Sequence, residues 1–193
     1  KLGYHIRRLT WPASSVRDFD RLTIPFRAVA ADIETGEAVV LGSGDLARAL
    51  RASMAIPGFF SAVDWEDRLL VDGGVARNLP VDVVRKMGAE VVIAVNIGTP
   101  LMPRDQLSSV VGLTSQMINI LTEQNVRQQL ETLGPADVKI VIEMGDIGSA
   151  SFDRIKDAIP MGRAAALAHR DALARYAVTE DEYLAWRESA SRP

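Results

Sequence analysis

Glu90-Val91-Val92-Ile93-Ala94-Val95-Asn96 is a β-branched run bounded by Gly88 and Gly98. A short apolar run of this kind suits a buried strand, and it is the best candidate for a central one. Just upstream, Pro80 fits the first position of a helix over residues 80–87, with Gly88 as its stop. Downstream, the spacing predicts a long helix over 105–132, with Val110, Leu113, Met117, Ile120 and Leu121 on one stripe. Gly134-Pro135 ends it, and residues 138–143 read as another strand. Further out, residues 24–31 and 37–41 read as two strands of a hairpin, turned at 32–36 with Gly36 suited to positive φ. Asp45 is the expected N-cap of a helix over 46–53, and residues 68–71 form a short strand. The stretch 152–176 is helical with an interruption expected near Pro160, and Thr179 with Glu182 forms a capping-box pattern for a final helix. Strands alternating with helices predict an α/β fold with a largely parallel sheet and helices on both faces. Residues 24–31, 90–96 and 138–143 are then expected in one sheet. Candidate sites lie at strand carboxyl ends, where Asp72, Asn96 and Gly98 fall.

The composition bounds the chemistry. The 193 residues hold 22 Lys and Arg against 25 Asp and Glu, two His and no Cys, for a net charge of −3. With 48% hydrophobic and 24% charged residues, the chain reads as an ordinary globular protein able to bury its own core. The absence of Cys excludes disulfides, thiolate zinc sites, iron–sulfur clusters and a Cys nucleophile. Two histidines, His5 and His169, argue against a His-rich metal site, and no cofactor is expected. The charge balance argues against a nucleic-acid partner. The longest nearly apolar run, residues 91–97, is far short of the roughly 20 residues of a spanning helix. Residues 1–22 lack clean periodicity, and carry Lys1, Arg7, Arg8, Arg17 and Arg21 against Asp18 and Asp20. That basic excess suits either an anionic surface or a solvated face.

Three segments hold candidate chemistry. In Val71-Asp72-Gly73-Gly74 a carboxylate ends an apolar strand, and two glycines let the backbone turn back without Cβ clashes. This is a setting for a general base, and also for a plain Asp-Gly turn. Residues 51–60 place compact Ala52-Ser53-Met54-Ala55 before Phe59 and Phe60, either lining an apolar pocket or locking a helix end into the core. Gly42-Ser43-Gly44-Asp45-Leu46-Ala47 formally matches a glycine-rich nucleotide turn, but follows what reads as a hairpin arm. No Gly-x-Ser-x-Gly, phosphate-binding loop or His-Glu-x-x-His occurs, so no Ser-His-Asp triad has a local signature.

Ala52-Ser53-Met54-Ala55-Ile56-Pro57-Gly58-Phe59-Phe60, Val71-Asp72-Gly73-Gly74-Val75-Ala76-Arg77-Asn78-Leu79-Pro80 and the continuation from Gly88 to Gly98 together resemble the patatin-like phospholipase family, in particular its bacterial members. The resemblance covers about residues 22–175. It implies a three-layer α/β/α fold and a lipid acyl hydrolase with a Ser-Asp dyad. The family's nucleophile lies on a Gly-x-Ser-x-Gly elbow near the N-terminus, and a glycine-rich loop supplies oxyanion donors; neither has a counterpart here. The dyad Asp carries over to Asp72.

The expectation is therefore the C-terminal two-thirds of a patatin-like catalytic domain over residues 1–177, with an extension or linker helix over 178–193 and the N-terminal, nucleophile-bearing segment missing. Its partners would be a lipid or phospholipid ester and, peripherally, a membrane surface. Its location would be the bacterial cytoplasm, or the outer membrane if the C-terminus leads into a barrel module. Two rivals stand beside this: a patatin-like interaction domain without chemistry, and a nucleotide-binding α/β module using residues 42–47.

Overall fold

The computed structural model describes residues 2–98, 101–145, 147, 148 and 151–190. The chain is α/β and divides into two compact units, Lys1–Glu90 with Thr99–Thr132 and Val91–Gly98 with Leu133–Pro193.

The first unit opens with a helix that the sequence did not reveal, α1 (Leu2–Leu9), anchored by the single buried residue Ile6. One buried position in eight leaves too little periodicity to read. Strands β1 (Ala28–Asp32) and β2 (Ala38–Leu41) form the expected antiparallel hairpin, and Gly36 takes φ +77° in its turn. Helix α2 (Leu46–Ser53) begins where Asp45 caps it, the carboxylate accepting the Arg48 N–H at 2.9 Å. A second hairpin follows, β3 (Val63–Trp65) and β4 (Arg68–Asp72), turned through Glu66 at φ +52°. The four strands form one sheet in the order β2-β1-β4-β3, antiparallel throughout. Every residue of β1 is buried, as a central strand flanked by β2 and β4 requires. Helix α2 packs on β1 and β4 around a core of Phe19, Ala30, Leu41, Ala49, Ala52 and Leu70. Full burial of side chains such as Leu70 and Phe19 contributes on the order of 1.5–3 kcal/mol each. The short helices α3 (Gly74–Arg77) and α4 (Val81–Lys86) follow β4, and Gly88 stops the second at φ +95°. Long helix α5 spans Val110–Leu130.

In the second unit, β5 (Ile93–Asn96) and β6 (Val138–Val141) pair in parallel, with Ile93 opposite Val138. Helices α6 (Ile155–Ala168), α7 (Arg170–Ala174) and α8 (Glu180–Ala190) complete it. The capping box at α8 forms: Thr179 N–H donates to Glu182 Oε2 at 2.8 Å, and Glu182 N–H donates to Thr179 Oγ1.

Two expectations need correction. Residues 24–31, 90–96 and 138–143 do not share one largely parallel sheet. Both edges of β1 are taken by antiparallel partners, and β5 pairs with β6 in a separate two-stranded sheet. The helical interruption falls at His169 rather than Pro160. Pro160 removes one hydrogen bond without ending α6. At His169 the ring Nδ1–H donates to the Ala165 carbonyl at 2.9 Å, and the backbone N–H turns to Ala166 instead. On α5 the apolar stripe Val110, Leu113, Met117, Ile120 and Leu121 is exposed, while Thr122, Val126 and Gln129 are buried. None of the described helices is long and apolar enough to cross a membrane.

Candidate active site

Asp72 is the last residue of β4, opposite Ala30 of β1 in the ladder. Its backbone N–H donates to the Ala55 carbonyl at 3.0 Å. The two segments singled out in the sequence, 52–60 and 71–74, thus meet directly. Ala52 and Ala55 are fully buried, so their lack of bulk is what lets the end of α2 close on the β4 backbone. Arg51 extends from the same helix, donating to the Ser61 carbonyl at 3.0 Å and lying 5.3 Å from the Phe60 ring centroid, while Phe59 is exposed.

The glycines after Asp72 act through close approach rather than unusual dihedrals. Gly73 has φ −66° and ψ −18°, which any residue can adopt. A Cβ on it would lie 2.2 Å from the Val29 carbonyl oxygen. The space left by Gly73 is therefore filled by the backbone of β1. Gly74 begins α3, and its N–H donates to Asp72 Oδ1 at 2.7 Å. A Cβ on Gly74 would sit 3.0 Å from that same oxygen.

Asp72 is half-buried, and burial pushes its carboxyl above the ordinary aspartate range, with the Gly74 N–H pulling more weakly the other way. None of the described ion pairs involves Asp72. The group is thus a rigidly held carboxylate, with one oxygen engaged by a backbone donor and a proton affinity shifted towards that of a useful base.

The support for this segment comes from α5, and the sequence reading missed it. Thr122 Oγ1 and Asn125 Nδ2 both donate to the Gly74 carbonyl, at 3.0 and 2.9 Å. Asn125 Oδ1 accepts the Asn78 N–H at 2.8 Å, and Gln129 Oε1 accepts the Asp82 N–H at 3.0 Å. Backbone groups near the ends of α3 and α4 need partners, and these amides and hydroxyl supply them. That demand turns the polar face of α5 inward. The available signal was the spacing of 122, 125 and 129 within a helix that has no charged residue before Glu123. Replacing Asn125 by Ala should cost about 1 kcal/mol in urea unfolding. It should also speed hydrogen exchange at the Asn78 amide, and unchanged exchange there would show that the clamp is not holding α3.

The other candidates fare differently. Asn96 lies at the end of β5 in the second unit, where its Oδ1 accepts the Gly98 N–H at 3.0 Å. In the glycine-rich stretch 42–47, the Gly44 N–H donates to the Arg17 carbonyl, and the Arg48 N–H just beyond it is used by Asp45. The strand before the stretch, β2, belongs to an antiparallel hairpin. Donors already spent inside the loop, and the lack of a βαβ unit, weigh against a phosphate cradle there. His169 contacts Ala165, and His5 packs edge-on against Tyr4. Among the described residues, no group of three or more His, Asp and Glu side chains could hold a metal ion.

The family profile described as patatin-like phospholipase matches residues 9–85, which include Asp45, the 52–60 segment and Asp72. Patatin-like phospholipase domain-containing protein 7 of mouse is 42% identical over 85 residues, 43% of this chain and 6% of that protein. An uncharacterized NTE family protein of Mycobacterium tuberculosis is 40% identical over 78 residues, 40% of this chain and 22% of its own length. Human patatin-like phospholipase domain-containing protein 6 is 39% identical over 85 residues, again 6% of that protein. Over residues 9–85 the chain is similar to the patatin-like family. The chain spans only a small part of the length of these relatives.

Proposed function

We propose that this chain is the Asp-bearing part of a patatin-like serine ester hydrolase, acting on lipid esters as a phospholipase A or esterase. In this reading Asp72 is the general base of a Ser-Asp dyad, and the nucleophilic serine belongs to a segment outside these 193 residues. The single observation behind it is the Asp72 carboxylate. It stands at a strand end, half-buried, without a cation among the described ion pairs, its proton affinity raised by burial.

The chemistry follows from that placement. The Asp72 carboxylate accepts the serine hydroxyl proton as the oxygen attacks the acyl carbon. The oxyanion forms against backbone N–H donors of the other segment. Collapse expels the alcohol or lysolipid, which takes the proton from Asp72, and an acyl-serine remains. Water then attacks that ester, giving its proton to Asp72; as the fatty acid leaves, Asp72 returns that proton to the serine oxygen and both groups are restored. A carboxylate needs no histidine for this if water is partly excluded and its pKa rises, which is how burial acts on Asp72.

A fluorophosphonate probe tests the assignment. The 193-residue chain alone should remain unlabelled and should not hydrolyse a short activated ester. The same chain joined to a segment bearing Gly-x-Ser-x-Gly should be labelled on the serine of that segment. Stoichiometric labelling of Ser53 in the chain alone would overturn the reading and make that serine the nucleophile.

A further inference from the structure

We propose that α1 and the turn after it form a docking surface for anionic lipid bilayers. Residues 2–17 contain no Asp or Glu, yet include Arg7, Arg8 and Arg17. Lys1 adds a fourth cation to the sequence and lies outside the described residues. Tyr4, Arg7, Arg8 and Trp11 recur at the i, i+3, i+4, i+7 spacing that lines one helix face, with Trp11 in the 3-10 turn that continues the helix. Tyr4 is 69% exposed, Trp11 74% and Leu9 78%. The opposite side is fixed, because Ile6 is buried and α1 packs on α2. None of the described ion pairs engages Arg7 or Arg8.

The combination selects the occupant. Exposed arginines without nearby acids are complementary to an anionic surface, each contributing about 1 kcal/mol close to a charged leaflet. Tyr and Trp are the side chains that settle at the boundary of headgroups and acyl chains. A nucleic acid or an acidic protein would answer the charges but would leave the outward aromatic faces in water. An anionic bilayer answers both. The docking does not depend on the role proposed for Asp72, because binding is read without hydrolysis.

Vesicle sedimentation of the full 193-residue chain tests this. The chain should sediment with phosphatidylcholine vesicles containing phosphatidylglycerol, not with phosphatidylcholine alone, and binding should fall as salt rises. Arg7→Glu with Arg8→Glu should weaken binding more than about tenfold. Lys156→Glu with Arg163→Glu changes the net charge equally on exposed positions of α6, and should leave binding within about twofold of the parent. Tyr4→Ser with Trp11→Ser keeps the charge and should weaken binding severalfold. All six positions are exposed, and circular dichroism of each variant checks that the fold is kept. Equal binding to both vesicle types would overturn the proposal, as would equal losses in the two charge-reversal variants. So would full binding by the aromatic variant, self-association through α1, or binding to heparin without binding to anionic vesicles.

Discussion

Asp72→Asn, made in the protein that also carries the nucleophile-bearing segment, should lower kcat for ester hydrolysis by about 10²–10⁴-fold, the range that a positioned general base contributes. The amide keeps the shape of the carboxylate, and its oxygen can still accept the Gly74 N–H that now donates at 2.7 Å. What it loses is the ability to take a proton. Stability should move the other way. Burial raises the folded-state pKa of Asp72 above its unfolded value, so the folded protein binds that proton more tightly. The group's contribution to stability is therefore largest below the unfolded pKa, and it declines as pH rises through the folded one. At neutral pH the ionised, half-buried carboxylate is a net cost that the amide removes. The Tm of the variant at pH 7 should equal or exceed that of the parent, and the difference should vanish on acidification below the usual aspartate range. An Asp serving only as a turn former would give the reverse: lost stability and intact hydrolysis. Activity within threefold of the parent would end the case for Asp72 as the base.

Local signals carried well and long-range ones did not. Asp45 before an apolar run, Gly36 after Asp32-Ile33-Glu34-Thr35, and Thr179 with Glu182 each name a cap or turn through a few neighbouring atoms, and each forms in the structure. The β3–β4 hairpin was invisible. Its turn is Glu66-Asp67, with no glycine or asparagine at the residue of positive φ, and only the pairing of Trp65 with Arg68 makes it a turn. Sheet membership was equally hidden. Residues 24–31 and 90–96 have similar apolar composition, and nothing local says that one pairs antiparallel on both edges while the other pairs in parallel. On α5, periodicity identified the stripe but not the side that faces inward. Hydropathy cannot register that Gly74, Asn78 and Asp82 have backbone groups awaiting partners 47 to 51 residues away in sequence. Asp72 stood out in the sequence because a strand followed by two glycines is a local pattern. The clamp that holds it did not, because its members come from two distant segments.

The largest loss of stability should come from Gly73→Ala. At φ −66° and ψ −18° alanine fits the backbone, and fewer unfolded conformations would by themselves favour it by roughly 0.4–1 kcal/mol. Space decides the sign. The new methyl group would lie 2.2 Å from the Val29 oxygen, 2.7 Å from its carbonyl carbon and 3.2 Å from the Ala30 nitrogen. Relief requires a shift of more than about 1 Å, since ordinary carbon contacts lie near 3.5–4.0 Å. β1 cannot easily yield, because Val29 is paired with Val40 and Ala30 with both Val39 and Asp72. The other side is no freer: the Gly73 carbonyl accepts the N–H groups of Ala76 and Arg77, and α5 grips Gly74. Overpacking against immobile backbone belongs to the upper end of its class, so about 3 kcal/mol or more is expected, a Tm fall on the order of 10 °C. Gly36→Ala is the comparison: φ +77° makes it strained, but nothing lies within 4 Å of its Cβ, and about 1 kcal/mol should be lost. Chemical unfolding of both variants separates the two causes. If Gly73→Ala costs no more than Gly36→Ala, the close approach of β1 to the Asp72 turn is not what fixes that carboxylate in place.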